Sequence, residues 1–226
     1  MTTSSSPTRS RFGTRGQPEE SRAAILKAAV SEFAENGVAG ARTDAIARAA
    51  RVNKALLYYY FKDKEAIYQA VLDQVFGGLR AAVLPILESN RAPRQKILDY
   101  LGAHFDYIAA NPRFPRLVQG EWVGTGNRRT TQMQRIARDY FRPVYQRLAE
   151  VLQQGIAAGE FRSVNPMHLI PSMGALVVFY FSSAPLLKTL MQIDPLAPER
   201  IAERRAFVLD FVSTALFTPS KQGVRA

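Results

Sequence analysis

Apolar residues recur at intervals of three and four along most of the chain, which is the spacing of one face of an α-helix. Leu26, Val30 and Phe33 begin this pattern, and it stops at Asn36 and Gly37, a pair that favours a helix end. Val, Ile and Thr nowhere alternate with polar residues over the length of a strand. The pattern therefore predicts an all-α protein with eight or nine helices and no sheet.

Two short helices are predicted next, separated by a turn of about three residues around Arg51 and Val52. Thr43 is expected to cap the first of them and Asn53 the second, which runs from Lys54 to Phe61. Two short helices joined in this way have the geometry of a helix-turn-helix motif, whose second helix enters the major groove of DNA.

The second short helix has one apolar side, and its other side carries a lysine, an alanine and two tyrosines. Leu57 faces the core, whereas Lys54, Ala55, Tyr58 and Tyr59 point away from it. Lysine can donate to a guanine or a phosphate, alanine permits close approach to a base, and tyrosine hydroxyls reach phosphate oxygens. This outward face therefore indicates contact with DNA.

The rest of the chain continues as helices separated by Pro, Gly and Asn. Pro143 is predicted to kink the longest of them, and Asn165 to cap the helix that opens at Pro166. These helices are expected from Asp63 to Gly78 or beyond, from Pro93 to Ala110, from Arg129 to Ala158, from Asn165 to about Leu190, and from Pro198 to Phe217.

Residues 163–187 contain no charged side chain, and a membrane-spanning helix needs about 20 apolar residues. Pro171, Pro185 and His168 interrupt the segment, so a helix buried on all sides is the favoured interpretation. This helix and the last one are expected to pair with the same two helices of a second copy.

The chain of 226 residues carries 30 Lys and Arg against 19 Asp and Glu, a formal charge of +11. This excess favours a polyanionic partner, either nucleic acid or an anionic membrane surface. Residues 1–62 hold ten basic and five acidic side chains, which leaves +5 in that segment and +6 in the remainder.

Residue types that carry catalytic chemistry are scarce in this chain. There is no cysteine, and the only two histidines, His104 and His168, are far apart in the sequence. No HExxH motif, glycine-rich phosphate loop or G-x-S-x-G motif is present. The sequence therefore predicts no catalytic residue, no metal site and no cofactor.

The stretch from Ala23 to Leu72 resembles the DNA-binding domain of the TetR family of bacterial transcriptional regulators. The matching positions are Phe33, Gly37, Thr43, Ile46, Ala47, Ala50 and Val52, the run from Asn53 to Phe61, and the run from Lys62 to Ile67. Beyond this stretch, the chain agrees with the family in being helical and of suitable length.

The resemblance implies a role in DNA binding for seven residues of this stretch. It implies phosphate contacts from Thr43, Tyr59, Tyr60 and Lys64, and contacts with base edges and the nearby backbone from Lys54, Ala55 and Tyr58. A cap alone for Thr43, packing roles for the tyrosines and a solvated position for Lys64 are the alternatives.

Two positions depart from the family pattern, which usually has glycine where this chain has Arg51 and often where it has Ala55. If the turn requires a left-handed residue, Arg51 costs roughly 1–2 kcal/mol there. A phosphate contact of its side chain could offset that cost.

The resemblance also implies a homodimer, joined through its last two helices, on a pseudo-palindromic double-stranded DNA operator. An unknown small-molecule effector would enter a cavity in the larger domain and release the DNA. The expected organisation is a disordered basic arm (1–20), a helix-turn-helix DNA-binding domain (21–66), a helical ligand-binding and dimerisation domain (67–218) and a flexible tail (219–226).

Large side chains of the central helices are candidates for the wall of this cavity: Phe105, Trp122, Met133, Tyr140, Phe141, Tyr145 and Phe179. Each of them also fits a core position, because aromatic residues at helical spacing usually belong to the core. His104 is expected to be a satisfied structural histidine. Glu121 fits an ion pair with a basic residue and contact with a cationic ligand equally well.

These expectations describe a cytoplasmic, ligand-responsive repressor that associates with the nucleoid when bound to its operator. A membrane-associated helical protein with a basic surface is one alternative. A nonspecific DNA-binding protein is another. The sequence identifies neither the effector nor the operator.

Overall fold

The computed structural model describes residues 18–122 and 127–219, and within them all side chains outside residues 121–131. Apart from one isolated β-bridge between Phe161 and Phe217, every regular element in this part of the chain is helical. The elements are α1 (Pro18–Gly40), α2 (Thr43–Ala49), α3 (Lys54–Tyr60), α4 (Lys64–Glu88), α5 (Pro93–Ala110), α6 (Phe114–Trp122), α7 (Asn127–Ile136), a π-helical turn (Ala137–Phe141), α8 (Arg142–Ala157), α9 (Pro166–Ser182), α10 (Ala184–Met191) and α11 (Pro198–Leu216).

The chain divides into two compact units between Leu72 and Asp73, a point inside α4. The first unit contains α1, α2, α3 and the start of α4. The second contains the rest of α4 and all later helices. The prediction of an all-α fold is confirmed.

Apolar side chains from four helices form the core of the first unit. Ile46, Leu57 and Ile67 have no exposed surface. The rings of Phe33 and Tyr68 meet edge to face, with 4.9 Å between their centroids. Because Leu57 fixes the inner side of α3 in this core, the residues on the other side of the helix face outward.

The starts of the two short helices agree only in part with the predicted caps. Asn53 caps α3 as predicted, since its Oδ1 accepts the N–H of Leu56 at 2.7 Å. The prediction that Thr43 caps α2 is wrong, because α2 already begins at Thr43 and its N-cap is Arg42. The Thr43 hydroxyl is therefore not used as a cap.

The turn between α2 and α3 is a Schellman motif with an arginine in its left-handed position. The N–H of Val52 donates to the carbonyl of Ala47 at 3.0 Å, and the N–H of Arg51 to that of Arg48 at 3.1 Å. Arg51 has a φ of 57°, so the turn does require a left-handed residue there. Gly37 has a φ of 62° and a ψ of 179°, a conformation largely restricted to glycine, and it forms a kink inside α1 at the predicted helix end.

Helix α5 is central to the second unit and packs against α8, α9 and α11. Its residues Ile97, Leu101 and Ile108 have no exposed surface. Leu148 from α8 and Val177 from α9 are likewise fully buried. Helix α5 is therefore the central helix of the core of the second unit.

Two of the predicted helices are interrupted in the structure. The helix expected from Asn165 to about Leu190 is α9 and α10, which are bent by 64° at their break. Pro185 lies in the first turn of α10, and its missing N–H removes a bond that a continuous helix would need. These breaks raise the number of helices among the described residues above the expected eight or nine.

The predicted kink at Pro143 takes the form of the π-helical turn that ends two residues before it. In an unbroken α-helix the proline ring would clash with the carbonyl four residues earlier, at Asp139. A wider π-helical turn removes that clash, and such turns are frequent at functional sites.

Helix α4 is long and apolar enough to cross a membrane, and the bent pair of α9 and α10 passes the same test together. Within α4, Val71, Leu72 and Phe76 are buried by other helices of the protein. Within the single chain α9 is buried on one side only, because 68% of Met167 and 70% of Phe179 are exposed, so burial on all sides would need a second copy. One face of α9 is thus uncovered in the single chain.

Candidate functional site

Helix α3 presents a small outward surface in the first unit. Lys54 and Ala55 are exposed, as are 80% of Tyr59 and 41% of Tyr58, and Tyr60 is half-buried. The rings of Tyr59 and Tyr60 meet edge to face with 5.2 Å between centroids. All five predicted residues of α3 therefore have surface that a partner can reach.

The side chains of Thr43 and Tyr58 connect the start of α2 to this surface. Their hydroxyl oxygens lie 3.2 Å apart. Each hydroxyl carries one hydrogen and only one is needed between them, so the second can point towards a phosphate oxygen. Because this contact links the two helices, it also restricts the orientation of the Tyr58 ring.

Lys54 is paired with an acidic residue that the sequence analysis did not assign to the site. Its Nζ lies 2.8 Å from Oδ1 of Asp44 in α2, and both side chains are more than half exposed. The hydrogen bond with Lys54 lowers the pKa of Asp44, and the same bond raises the pKa of Lys54. A DNA partner would therefore meet Lys54 as half of an ion pair.

Lys64 also has protein partners that its position in the sequence did not indicate. Its Nζ donates to the carbonyls of Ala39 at 3.3 Å and Ala41 at 3.2 Å. An ammonium group has three donors, so these two bonds leave one for another acceptor. Lys64 is half-buried, and it joins the start of α4 to the last turn of α1 and the residue that follows it.

The second unit contains a cavity of about 580 Å³. This volume lies within the range of small-molecule sites, which is about 300–1,000 Å³. The wall is formed by α4, α5, α6, the last residue of the π-helical turn, α8 and α9. Most of the lining is apolar, with Leu79, Val118, Leu148 and Ile170 as representative side chains.

Two polar residues of α5 lie one helical turn apart in this wall. His104 is 94% buried, its Nδ1 lies 3.5 Å from the hydroxyl of Tyr100, and its Nε2 has no hydrogen-bond partner. Burial lowers the pKa of His104 to about 4 and raises that of Tyr100, so both are neutral at neutral pH. The expectation of a satisfied structural histidine at position 104 is therefore wrong.

The predicted wall residues have different positions in the structure. Phe141, Tyr145 and Phe179 line the cavity. Phe105 lies in the core against Phe181, with 5.2 Å between ring centroids, and is not part of the wall.

Of three further predicted wall residues, two lie outside the cavity wall and one has a side chain that the structure does not describe. The half-buried Met133 is not among the lining side chains. Tyr140 donates to Asp73 at 2.6 Å, and burial together with this bond raises its pKa to about 12. Trp122, like Glu121, is outside the described side chains.

Tyr100 and His104 were not predicted as a pair from the sequence. The available signal was a tyrosine and a histidine four residues apart on one helix face that is otherwise apolar. That signal is weak in isolation, because the wall opposite them comes from helices distant in the sequence.

Large apolar side chains are exposed along α9, α10 and α11. Phe207 and Phe211 in α11 stack with 5.9 Å between centroids, although about half of each is exposed. The guanidinium of Arg204 lies over the rings of Tyr180, at 5.0 Å, and Phe207, at 5.2 Å. The other exposed members of this apolar face are Met167, Phe179, Leu186, Leu190 and Met191.

Among the residues that the structure describes, no group of three or more His, Cys, Asp or Glu could hold a metal ion.

Comparison with known families and proteins agrees with this architecture. Residues 25–71 match the family described as "Bacterial regulatory proteins, tetR family", and residues 93–212 match "Tetracyclin repressor-like, C-terminal domain". The chain is 26% identical over 202 residues to the HTH-type transcriptional repressor NicS of Pseudomonas putida, covering 88% of this chain and 94% of that one.

Solved structures of regulators have the same fold. HlyIIR, a hemolysin II transcriptional regulator, superposes with a TM-score of 0.59 and 26% identity over 84% of this chain and 98% of its own. The putative transcriptional regulator SCO4942 of Streptomyces coelicolor superposes with a TM-score of 0.65 and 24% identity, over 88% of this chain and 99% of its own.

The chain belongs to the TetR family of bacterial transcriptional regulators. It is a DNA-binding regulator and not an enzyme, it acts as a homodimer on operator DNA, and it is located in the cytoplasm. Neither a membrane-associated protein nor a nonspecific DNA-binding protein finds support in these matches.

Proposed function

We propose that this regulator is a repressor that occupies a pseudo-palindromic operator and leaves it when a small molecule fills the cavity of the second unit. The observation that carries the proposal is the outward surface of α3, where Lys54, Ala55, Tyr58 and Tyr59 are exposed on a helix anchored by Leu57. NicS aligns with 88% of this chain, and its name, a transcriptional repressor, supports the same direction of control.

The DNA contacts are proposed as follows. Lys54, Ala55 and Tyr58 face base edges and the nearby backbone of the major groove. Phosphates are contacted by the half-buried Thr43 and Lys64 and by two further tyrosines, Tyr59 and Tyr60.

The Thr43–Tyr58 contact supports this arrangement, because it holds two hydroxyls together at the edge of α3. A phosphate oxygen could then accept the hydrogen that their mutual bond does not use.

The dimer is proposed to form through the apolar face of α9 and α11. Exposed aromatic residues such as Phe207 and Phe211 are unfavourable in water and are the residue type enriched at protein interfaces. A dimer brings two copies of α3 to successive major grooves, about 34–36 Å apart, and a two-fold protein accordingly favours a pseudo-palindromic site.

Effector control is proposed to pass through α4, which belongs to both units. Leu79 of this helix lines the cavity, and Tyr107 of α5 donates to the carbonyl of Val75 at 2.7 Å. An effector that contacts Leu79 differently in two conformations would shift their populations, and with them the affinity for DNA.

A gel-shift titration with the DNA upstream of the protein's own gene tests this function. The expected result is a shift at protein concentrations roughly 1,000-fold lower than those needed for a scrambled sequence of equal length. Equal affinity for both DNAs would contradict the proposal of an operator and favour nonspecific binding.

A fluorescent fusion tests the location of the bound form. It should overlap the nucleoid in cells and become diffuse when Tyr58 and Tyr59 are both replaced by Ala. Localisation of the unaltered fusion at the cell envelope would contradict this part of the proposal.

A further inference from the structure

The cavity of the second unit combines a mostly apolar wall with one buried polar atom that has no partner. None of its described lining side chains is Asp, Glu, Lys or Arg. An ionised group that enters such a wall loses its hydration and gains no opposite charge in return. The described part of the wall therefore disfavours a charged ligand.

An unpaired polar atom, Nε2 of His104, distinguishes this cavity from a purely apolar packing cavity. His104 is 94% buried, and its Nε2 has no partner in the protein. Buried polar atoms without a partner are rare in native proteins, because each loses its bonds to water and receives nothing in exchange. An oxygen atom of a ligand beside Nε2 would supply the missing bond.

The other polar side chains of the wall have a partner or reach solvent, since Gln119 is exposed and Tyr145 is 36% exposed. Ser182 donates to the carbonyl of Val178 at 3.0 Å, and the Tyr100 hydroxyl lies 3.5 Å from His104 itself. The lining thus has one principal unsatisfied position, on α5, and apolar surface around it. A ligand that matches this lining has one polar atom for that position and is hydrocarbon over most of its surface.

We infer that the effector is an uncharged, mainly hydrocarbon molecule whose carbonyl or hydroxyl oxygen accepts a hydrogen bond from Nε2–H of His104, in the tautomer whose Nδ1 accepts from the Tyr100 hydroxyl. This inference rests on the proposed function, because it takes the cavity as the effector site. At neutral pH the imidazole is uncharged, since burial lowers the pKa of His104 to about 4, and the bond is one between neutral groups.

A pair of fluorescent probes with one ring skeleton tests the charge requirement. N-phenyl-1-naphthylamine is neutral, and 1-anilinonaphthalene-8-sulfonate adds a single negative charge to the same rings. The neutral probe is expected to bind at least about tenfold more tightly. Equal or tighter binding of the sulfonate would overturn the inference of an uncharged ligand.

Displacement of the neutral probe tests the hydrogen bond. 2-Undecanone and undecanoate have the same number of carbons, and only the ketone is uncharged at pH 7.5. The ketone is expected to displace the probe at the lower concentration. In His104→Leu its apparent affinity should fall roughly 3- to 10-fold, the size of one hydrogen bond between neutral groups.

The second histidine provides a matched control. His168 is exposed near the start of α9 and lies outside the cavity wall, so His168→Leu should leave ketone binding unchanged. His104→Gln keeps a hydrogen-bonding side chain and should retain part of the affinity lost in His104→Leu. Thermal melts of each variant separate loss of folding from loss of the bond.

Two further outcomes would overturn the inference without affecting the proposed function. They are equal ketone binding by His104→Leu and the unaltered protein, and displacement by undecanoate at or below the ketone concentration. Operator affinity of the unaltered protein, measured with no probe present, tests the proposed function separately. Loss of specificity in that assay would leave the result on ligand class standing.

Discussion

In the first unit the candidate binding residues lie on the outside of a seven-residue helix, whereas in the second they line a cavity that is partly open to solvent. Tyr59 is 80% exposed and contributes little to its own core, but His104 is 94% buried and belongs to a wall that is also core. The outer surface can therefore change its specificity with little effect on folding. A change in the cavity alters packing and recognition together.

The two units also treat polar groups differently. On the surface, Lys54 has a partner in Asp44, and Lys64 has carbonyl partners in Ala39 and Ala41. Inside the cavity, Nε2 of His104 has none. Water and DNA can supply partners at the surface, but an interior position depends on a ligand of matching chemistry.

The largest effect is expected when the apolar face of α11 is given a charge. Phe207→Arg adds a cation beside Arg204, which already lies 5.2 Å from the Phe207 ring, and removes apolar surface from the proposed interface. The dimer should dissociate at micromolar concentration, and operator affinity should fall by about 100-fold or more, because the two DNA-binding units are no longer linked. Light scattering and gel shift measure the two effects.

The control for this variant adds the same charge elsewhere. Gln153→Arg changes an exposed position of α8, outside the proposed interface, and should remain a dimer. A dimer in Phe207→Arg with unaltered operator affinity would mean that α11 does not join the two protomers.

Tyr58→Ala should weaken operator binding by roughly 10- to 100-fold, since each protomer loses one contact with DNA. Folding should change little, because 41% of the residue is exposed and its hydroxyl contacts Thr43 at the protein surface. Tyr58→Phe removes only the hydroxyl and isolates its share of the effect. Normal affinity in both variants would remove Tyr58 from the proposed DNA surface.

The DNA surface could be predicted from the sequence because its residues lie close together in the chain. Spacing alone determines that Leu57 faces inward when Tyr58 and Tyr59 face outward. The partners of these residues were less predictable: the Lys54–Asp44 pair and the bonds from Lys64 depend on how α2 and α4 pack against α3 and α1.

The cavity was predictable only in part. Phe141, Tyr145 and Phe179 line it. Phe105 is also an aromatic residue at helical spacing, but it lies in the core. The difference between wall and core depends on which helix lies opposite, and that arrangement arises from helices far apart in the chain. For the same reason, the missing partner of His104 Nε2 could not be predicted from the sequence.

Lys64→Ala is expected to have two smaller effects that separate its possible roles. Losing the bonds to Ala39 and Ala41 should lower the melting temperature. If Lys64 also contacts a phosphate, the slope of log affinity against log salt should become less steep by about 0.9 for each protomer. Lys62→Ala, at a neighbouring exposed lysine, is the control. A lower melting temperature with an unchanged slope would assign Lys64 a purely structural role.

The smallest effect concerns backbone strain, and it can be measured in both units. Arg51 and Gln192 are the non-glycine residues with positive φ among those described, at 57° and 56°. Glycine avoids a left-handed cost of about 1–2 kcal/mol but adds about 0.5–1 kcal/mol of unfolded-chain entropy. Arg51→Gly and Gln192→Gly should therefore each stabilise the protein by about 0.5–1 kcal/mol in denaturant unfolding.

The effect on DNA binding should differ between these two variants. Gln192→Gly lies at the end of α10 and is expected to leave operator affinity unchanged. Arg51→Gly removes a cation from the turn before α3, so its affinity should fall about threefold if the arginine contacts a phosphate. In that case the chain tolerates a strained turn because the side chain binds DNA. Unchanged affinity would mean that no DNA contact of Arg51 offsets the strain of its backbone. Glycine would then be favoured at this position, because it increases stability without weakening DNA binding.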